Sequence, residues 1–227
     1  MVPPGSSRRG GGREGLAERL RLIVVMDEAQ AAPRGVIEVV RLALSAGAPA
    51  IQLRAKEQSA RELAGLGREL RRETTAHGAL LFVNDRVDVA LTVSADGVHL
   101  GPDDLPLAAV RRSTPPGFLI GYSTDDPEEA RVAEREGADY LGVGAVWATP
   151  SKEDAGESIG PDGLARVARA VSIPVVGIGG ITVERARLLA GTGAAGIAVI
   201  GAVMGAADPR AAVRLLLEPF TTGRGRT

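Results

Sequence analysis

Polar side chains in this chain recur directly after short apolar runs, and the first group is Gln52, Arg54 and Lys56. Because side chains alternate along a strand, these three are expected on one face, with Ile51 and Leu53 on the other. Arginine can hold phosphate oxygens with two parallel N–H groups, and lysine adds a compact positive charge. The spacing therefore predicts an anion-binding face.

Carboxylates follow the next two apolar runs. Asp85 comes directly after Asn84, and Asp103 and Asp104 follow the run that ends at Leu100. Carboxylates on neighbouring loops suit Mg²⁺, which takes few protein ligands and fills its remaining positions with phosphate oxygens and water. We expect one such ion per chain, bound by Asp85 and by either Asp103 or Asp104.

Hydroxyl groups and a further lysine follow the fifth and sixth apolar runs. Ser123 comes first, and Thr149, Ser151 and Lys152 then lie close together in the sequence. Hydroxyl and ammonium groups are suitable donors to phosphate oxygens. The glycine-containing stretch that continues to Gly160 is long enough to close over a ligand.

Glycine-rich segments follow the last two apolar runs, and they predict a second anion site. The segments are Gly177-Ile178-Gly179-Gly180-Ile181-Thr182 and Val199-Ile200-Gly201-Ala202. Glycine lets the backbone approach a ligand closely, so that N–H groups and a helix N-terminus can hold phosphate. Together with the cationic face, this predicts a rim that holds two phosphorylated small molecules.

These residues need a scaffold that brings the ends of many strands together. Eight apolar runs of strand length alternate with amphipathic helical segments, which favours a parallel sheet covered by helices. The count of eight, and the absence of a G-x-G-x-x-G segment after the first run, favour a single (β/α)8 barrel over an open doubly wound sheet. Thr182 and Asp125 are expected helix N-caps. The predicted strands are residues 20–25, 48–53, 79–83, 95–100, 117–121, 138–143, 173–178 and 194–200.

The composition of the 227-residue chain agrees with an aliphatic core, since 44% of its residues are hydrophobic and 3% are aromatic. The formal net charge of −1 gives no reason to expect nucleic acid or a membrane surface as a partner. The chain has no cysteine, which excludes disulfides and thiolate chemistry. No apolar run approaches the roughly 18–20 residues of a membrane span. The lack of cysteine is compatible with a cytosol, and a cytoplasmic location is expected.

Both ends of the chain are poor in apolar residues and rich in glycine and arginine. We therefore expect a disordered leader over residues 1–16, one barrel domain over residues 17–220 and a disordered tail over residues 221–227. A homo-oligomer remains an open possibility at this stage.

The order and spacing of these segments resemble those of the thiamine-phosphate synthase family over about residues 20–218. Each segment alone is a weak signal, but the combination is specific. The resemblance implies a (β/α)8 transferase that joins hydroxymethylpyrimidine diphosphate to a thiazole phosphate or carboxythiazole phosphate, giving thiamine phosphate and pyrophosphate. The matching segments are Gln52-x-Arg54-x-Lys56, Val83-Asn84-Asp85, residues 95–101 followed by Asp104, Gly121-x-Ser123, Thr149-Pro150-Ser151-Lys152 and residues 177–182.

The resemblance also implies a role for each matching residue. Those that would hold the pyrimidine diphosphate are Gln52, Arg54, Lys56, Asn84, Ser123 and Lys152. Those with a part in catalysis would be Arg54, Lys56, Ser123 and Lys152. The Mg²⁺ ligands would be Asp85 and Asp104. Those that would hold the thiazole phosphate are Thr149, Pro150, Ser151, Gly180, Ile200 and Gly201. The family frequently has serine where this chain has Gly201, so a backbone N–H is expected to serve there.

The implied reaction suits the residue types. Pyrophosphate leaves a benzylic-type carbon, and Mg²⁺ and preorganised cations favour the negative charge that builds on it. The aminopyrimidine delocalises the positive charge that remains, and the thiazole nitrogen then attacks. This dissociative, carbocation-like substitution requires no protein nucleophile, which agrees with a chain that has no cysteine.

Three alternatives remain at this point. A thiazole tautomerase on the same barrel resembles the family, but it would use a histidine shortly after the fifth strand, where this chain has Ser123-Thr124-Asp125-Asp126. A non-catalytic barrel that binds a phosphorylated metabolite would keep the glycine segments without needing the carboxylates. Another phosphate-handling barrel, of tryptophan or histidine biosynthesis, is the third.

The chain has two histidines. His99 lies among apolar neighbours in a predicted strand, so we interpret it as a packed, hydrogen-bonded core residue. His77 ends a predicted helix and is expected at the surface.

Overall fold

The structure, a computed structural model, describes residues 15–55, 58–149 and 157–221. In these residues, eight parallel strands pair in chain order, and the last pairs with the first to close a barrel. The predicted (β/α)8 fold is confirmed. The strands are β1 Leu22–Val25, β2 Ala50–Leu53, β3 Leu80–Asn84, β4 Gly97–Leu100, β5 Leu119–Ser123, β6 Tyr140–Val143, β7 Val175–Ile178 and β8 Gly196–Val199.

Every predicted strand is present and begins one or two residues later than its apolar run. Ten helices lie in the described part of the chain. They are α1 Leu16–Arg19, α2 Val36–Ser45, α3 Ala60–His77, α4 Val87–Thr92, α5 Leu107–Ser113, α6 Pro127–Glu136, α7 Gly160–Ala170, α8 Val183–Leu189, α9 Gly201–Met204 and α10 Pro209–Thr221.

One of the two predicted N-caps is confirmed and the other is wrong by one residue. Thr182 caps α8, with its hydroxyl oxygen accepting the backbone N–H of Arg185 at 3.3 Å. Helix α6 is capped by Asp126, not by Asp125. Proline at the first helical position requires its cap to be the residue directly before it, and Asp126 accepts N–H groups from the first turn.

Two layers of apolar side chains form the core. Strand residues that point outward, such as Ile51 and Leu53, pack against the helices. Strand residues that point inward fill the barrel itself and include Phe82 and Tyr140. The alternation along each strand therefore separates the outer core from the barrel interior, as the sequence predicted.

Helix α1 closes the amino end of the barrel. Leu16 and Leu20 are buried in the inner cluster, so the helix begins inside the segment expected to be a leader. Thr221 likewise ends α10 within the expected tail. The rest of both terminal segments, residues 1–14 and 222–227, lies outside the described residues.

Two carboxylates join strands and helices at the amino end of the barrel. Asp96, just before β4, accepts the backbone N–H of Leu81 at 2.7 Å and a guanidinium N–H of Arg71 at 2.7 Å. Asp139, just before β6, accepts the N–H of Ile120 at 2.8 Å and pairs with Arg111. Each carboxylate thus holds a neighbouring strand and a covering helix through charge-assisted hydrogen bonds.

None of the helices in the described residues has both the length and the apolar character that crossing a membrane would require.

Candidate active site

A cavity of about 650 Å³ opens at the carboxyl ends of the strands. Small-molecule sites commonly measure roughly 300–1,000 Å³, and in (β/α)8 enzymes they lie at this end of the barrel. Its floor is apolar and is formed by inward-facing residues of β1, β7 and β8, namely Ile23, Val25, Val176 and Ala198. Its walls carry those polar residues singled out by the sequence that the structure describes.

The alternation predicted for the second strand is confirmed for Gln52 and Arg54, while Lys56 lies outside the described residues. Gln52 and Arg54 line the cavity, whereas Ile51 and Leu53 face the outer core. Gln52 is almost completely buried, and its side chain forms a hydrogen bond with the phenol of Tyr140. An amide held in this way presents a fixed polar edge toward the cavity.

The carboxylates expected after the third and fourth strands line the same cavity. Asp85 adopts a left-handed backbone conformation, with φ of 61°, and its N–H donates to the carbonyl of His99 at 2.9 Å. Such conformations are uncommon for residues other than glycine, and they concentrate at functional sites. The turn after β3 is therefore held in an unusual shape at the point where Asp85 meets the cavity.

Asp103 and Asp104 both line the cavity but differ in their contacts. Asp104 is half-buried, and its Oδ2 accepts the N–H of Gly101 at 2.6 Å, which fixes the carboxylate. Asp103 is exposed. In the described ranges, no group of three or more His, Cys, Asp or Glu side chains is arranged to hold a metal ion.

The hydroxyl of Ser123 also lines the cavity, at the carboxyl end of β5. Its Oγ lies 2.8 Å from Nε2 of His99, and Nδ1 of the same ring lies 3.0 Å from the hydroxyl of Tyr140. His99 is hydrogen-bonded as expected, but the interpretation as a packed core residue is wrong, because its ring is half-buried and lines the cavity. Val98 and Leu100 take the outward positions, which turns His99 inward.

The glycines after β7 form the opposite wall. Gly179 and Gly180 have φ of 98° and 62°, and a Cβ on Gly180 would lie 2.7 Å from the carbonyl oxygen of Ala148. Only glycine fits this left-handed, closely packed backbone. The N–H of Trp147 donates to the carbonyl of Gly179 at 3.1 Å, so the loop after β6 packs against this segment and brings Thr149 to the cavity.

Ile200 and Gly201, after β8, complete this wall as predicted, since both line the cavity. The structure adds Gln30, from the loop after β1, to the same place. A Cβ on Gly201 would lie 2.6 Å from Oε1 of Gln30. The space where a larger residue at position 201 would project is thus taken by an amide from another loop.

Arg185 is a cation at the cavity that sequence reasoning missed. Its Nη1 donates to the carbonyl of Gly180 at 2.7 Å, and its guanidinium carbon lies 5.1 Å from the centre of the Trp147 ring. Arg185 therefore joins the glycine segment after β7 to the loop after β6. A signal was present: arginine in the first turn of a helix opposes the helix dipole, which favours anionic groups there.

Four predicted site residues, Lys56, Pro150, Ser151 and Lys152, lie outside the described residues. The chain on either side of residues 150–156 is held at the rim. The N–H of Ile159 donates to the carbonyl of Ala145, and the N–H of Gly160 donates to the carbonyl of Val146, both at 3.0 Å.

A sequence model described as thiamine monophosphate synthase matches residues 22–203, which include all eight strands of the described fold. The chain belongs to the thiamine monophosphate synthase family. Thiamine-phosphate synthase of Moorella thermoacetica is 50% identical over 205 residues, covering 90% of this chain and 98% of that protein. Thiamine-phosphate synthase of Roseiflexus castenholzii is 50% identical over 195 residues, covering 86% of each.

The structural comparison agrees with membership in this family. Thiamine phosphate pyrophosphorylase from Pyrococcus furiosus superposes with a TM-score of 0.84 at 46% identity, covering 92% of this chain and all of that one. A 3-hexulose-6-phosphate synthase superposes with a TM-score of 0.64 at 20% identity, which shows a shared fold alone. As a thiamine monophosphate synthase family member, the chain is an enzyme of the transferase class, in thiamine biosynthesis.

Proposed function

We propose that the chain couples hydroxymethylpyrimidine diphosphate with a thiazole phosphate to give thiamine phosphate and pyrophosphate. One observation carries the proposal: a single cavity has two different kinds of anion-binding wall. Polar and charged side chains from β2 to β5 form one wall, and glycine backbone after β7 and β8 forms the other. Two walls of this kind suit two phosphorylated substrates.

The side-chain wall is proposed to hold the pyrimidine diphosphate. Arg54 supplies a guanidinium, Gln52 and Asn84 supply amides, and Ser123 supplies a hydroxyl. A guanidinium can bind two phosphate oxygens at once, and the amides suit the polar edge of an aminopyrimidine. Lys56 and Lys152 are proposed to add positive charge to the same diphosphate, as the family motif implies.

The residues on this wall fit Mg²⁺. Asp85 and Asp104 are a pair of carboxylates on adjacent loops, and Mg²⁺ is commonly bound by one or two carboxylates together with substrate phosphate and water. We propose that these two residues hold one ion per chain. When bound, the ion would neutralise part of the negative charge on the diphosphate.

The backbone wall is proposed to hold the thiazole phosphate. Gly180, Ile200 and Gly201 bring backbone groups to the cavity, and Thr149 adds a hydroxyl from the loop after β6. Pro150 and Ser151 continue that loop in the sequence and are proposed to complete the site. Backbone N–H groups bind phosphate without the ordering of long side chains.

In the proposed reaction, the bond between the pyrimidine methylene carbon and the diphosphate oxygen breaks, and its electron pair leaves with pyrophosphate. The lone pair of the thiazole nitrogen forms the new bond to that carbon. The protein is proposed to act through donors arranged around the leaving oxygen, chiefly Arg54, Ser123 and the two lysines. Such preorganised donors stabilise developing charge more than water does, because they need not reorient.

The test is release of pyrophosphate by the purified full chain. We expect release when both substrates and Mg²⁺ are present, and loss of release when either substrate is omitted or excess chelator is added. Restoration by added Mg²⁺ is the control for chelator damage. Full activity in excess chelator would contradict the metal proposal, and conversion of a thiazole phosphate tautomer without pyrophosphate release would favour the tautomerase.

A further inference from the structure

Four side chains of the cavity wall form a continuous line of contacts across the barrel. The amide of Gln52 lies next to the phenol of Tyr140. The phenol lies 3.0 Å from Nδ1 of His99, and Nε2 of His99 lies 2.8 Å from Oγ of Ser123. The line begins on β2, crosses the barrel to β6, and returns through β4 to β5. It ends at a hydroxyl on the wall proposed for the diphosphate.

Two glycines make this arrangement possible. A Cβ on Gly121 would lie 2.5 Å from Nδ1 of His99 and 2.2 Å from Cζ of Tyr140. A Cβ on Gly142 would lie 2.8 Å from Cε1 of His99. Real Cβ atoms do not approach other atoms this closely, so the two rings occupy space that only glycine leaves on β5 and β6. The imidazole is therefore held in one orientation, with one nitrogen for each partner.

The number of available protons limits which group can donate and which can accept in each hydrogen bond of the line. Burial, and secondarily the charge of Asp139, raises the pKa of Tyr140 far above its ordinary value, so the phenol keeps its single proton. A neutral imidazole has one N–H donor and one acceptor nitrogen. With a neutral imidazole, the protons point either from Gln52 toward Ser123 or from Ser123 toward Gln52.

We propose that the line runs from Gln52 toward Ser123, so that His99 carries its proton on Nε2 and turns the hydroxyl proton of Ser123 into the cavity. The inference rests on the proposed function, because a diphosphate needs a donor at this place. The amide of Gln52 donates to the phenol oxygen, the phenol donates to Nδ1, and Nε2–H donates to Oγ. His99 and Tyr140 are thereby positioning residues that act through Ser123.

If the hydrogen bonds ran from Ser123 toward Gln52, the hydroxyl of Ser123 could not donate to the diphosphate. Its proton would be used in a bond to Nε2, and lone pairs of Oγ would face the negative charge of the diphosphate. A hydroxyl that accepts from His99 instead has its own proton available for a phosphate oxygen. Donors of this kind are most useful where charge grows on the leaving group.

The first test measures the proton position directly, without activity. Nitrogen-15 NMR of the imidazole rings distinguishes a protonated from an unprotonated nitrogen, and the chain has two histidines. His77→Gln assigns the spectrum, since His77 is exposed at the end of α3. We expect the proton of His99 on Nε2 in the full chain, and a proton on Nδ1 alone would overturn the proposal.

The second test compares substitutions that keep or remove the donor. His99→Gln can place an amide N–H near the position of Nε2, whereas the shorter Asn cannot reach Ser123. We expect kcat for pyrophosphate release to fall by roughly 10²-fold in His99→Asn, as for loss of one transition-state donor, and far less in His99→Gln. Equal kcat in the two variants would contradict the proposal, and thermal unfolding checks that both are folded.

The chain has two tyrosines, so replacing each by phenylalanine gives a test variant and a matched control. Tyr140→Phe removes the donor to Nδ1, and we expect kcat to fall about tenfold with a smaller change in KM, because one neutral hydrogen bond is lost. Tyr122→Phe is the control, since its ring faces the outer core and does not line the cavity. Equal activities in these two variants would show that the phenol of Tyr140 has no positioning role.

A double-mutant cycle separates positioning from structural support. If His99 acts through Ser123, the variant with both His99→Asn and Ser123→Ala loses no more kcat than Ser123→Ala alone. If the two residues act independently, the fold-losses of the single variants multiply in the double variant. That second result would overturn the proposal. Absence of pyrophosphate release by the unaltered enzyme would instead refute the proposed function, and the NMR result would still report the direction of the line.

Discussion

The two ends of the barrel use similar residues for different purposes. At the amino end, the carboxylates of Asp96 and Asp139 are bonded to arginines and to backbone N–H groups of the protein itself. At the carboxyl end, Asp85 and Arg54 line an open cavity. The difference shows that residue type does not separate a stabilising ion pair from a binding site. What separates them is their place: Asp96 and Asp139 join strands to covering helices, whereas Asp85 and Arg54 line a cavity that is open to ligands.

The comparison predicts that changes at the amino end reduce stability and leave activity intact, while changes at the carboxyl end do the reverse. It also predicts intermediate behaviour for a residue at the carboxyl end whose side chain joins two segments of the protein. Four substitutions test these expectations, in order of decreasing effect.

Arg111→Met should have the largest effect. It leaves the carboxylate of Asp139, whose side chain is 7% exposed, without its cation, and loss of one partner of a buried pair costs roughly 3 kcal/mol. We expect the melting temperature to fall by about 6–12 °C and kcat per folded molecule to change by less than about twofold. The control is Arg112→Met, because Arg112 is exposed on the same helix. Loss of activity in folded Arg111→Met protein would contradict the comparison.

Asp85→Asn should affect activity without affecting stability. Asparagine tolerates the left-handed conformation at this position but cannot supply a negative charge to Mg²⁺. We expect kcat/KM for pyrophosphate release to fall by at least about 10²-fold, with an unchanged melting temperature. Asp88→Asn is the control, since Asp88 is exposed and pairs with Arg86 outside the cavity. Undiminished activity in Asp85→Asn would remove Asp85 from the proposed metal site.

Arg185→Lys should behave in an intermediate way. Lysine keeps the charge but loses the stacking on Trp147 and the geometry that reaches the carbonyl of Gly180. We expect KM for the thiazole phosphate to rise about tenfold, with little change in kcat, as for loss of roughly 1 kcal/mol. Arg187→Lys is the control, because Arg187 lies on the same helix and pairs with Glu218 at the surface. A KM effect on the pyrimidine substrate alone would assign Arg185 to the other wall.

Gly201→Ala should have the smallest effect. Its Cβ would meet Oε1 of Gln30, which is the end of a flexible side chain that can rotate away. We expect KM for the thiazole phosphate to rise a few-fold and stability to change by less than about 1 kcal/mol. Gly191→Ala is the control, as a Cβ there meets nothing within 4 Å. If displacement of Gln30 is the cause, Gln30→Ala gives the same KM, and the double variant adds nothing.

Most of the fold was predictable because it depends on local pattern. The eight apolar runs matched the eight strands in the described residues, and alternation along the second run placed Gln52 and Arg54 inside the barrel. The N-cap of α6 was misplaced by one residue, because Asp125 and Asp126 have the same chemistry. The proline that follows Asp126 was the signal that distinguishes them.

The candidate site was only partly predictable. Alternation would have placed His99 on the inner face, since Val98 and Leu100 are the apolar residues of that strand, but its neighbours suggested a packed core. Gln30 and Arg185 come from a loop and a helix whose ends meet the cavity only when the barrel closes. No spacing pattern in the sequence predicts that these two side chains reach the same cavity.

The sequence by itself determined the order of the strands, the direction of their side chains and the residue types at each strand end, because periodicity and turn chemistry are local. Only the tertiary structure decided which polar groups meet. The line from Gln52 to Ser123 exists because Gly121 and Gly142 leave room for two rings across separate strands. Contacts of this kind depend on volumes and distances between segments far apart in the chain, which a single sequence does not measure.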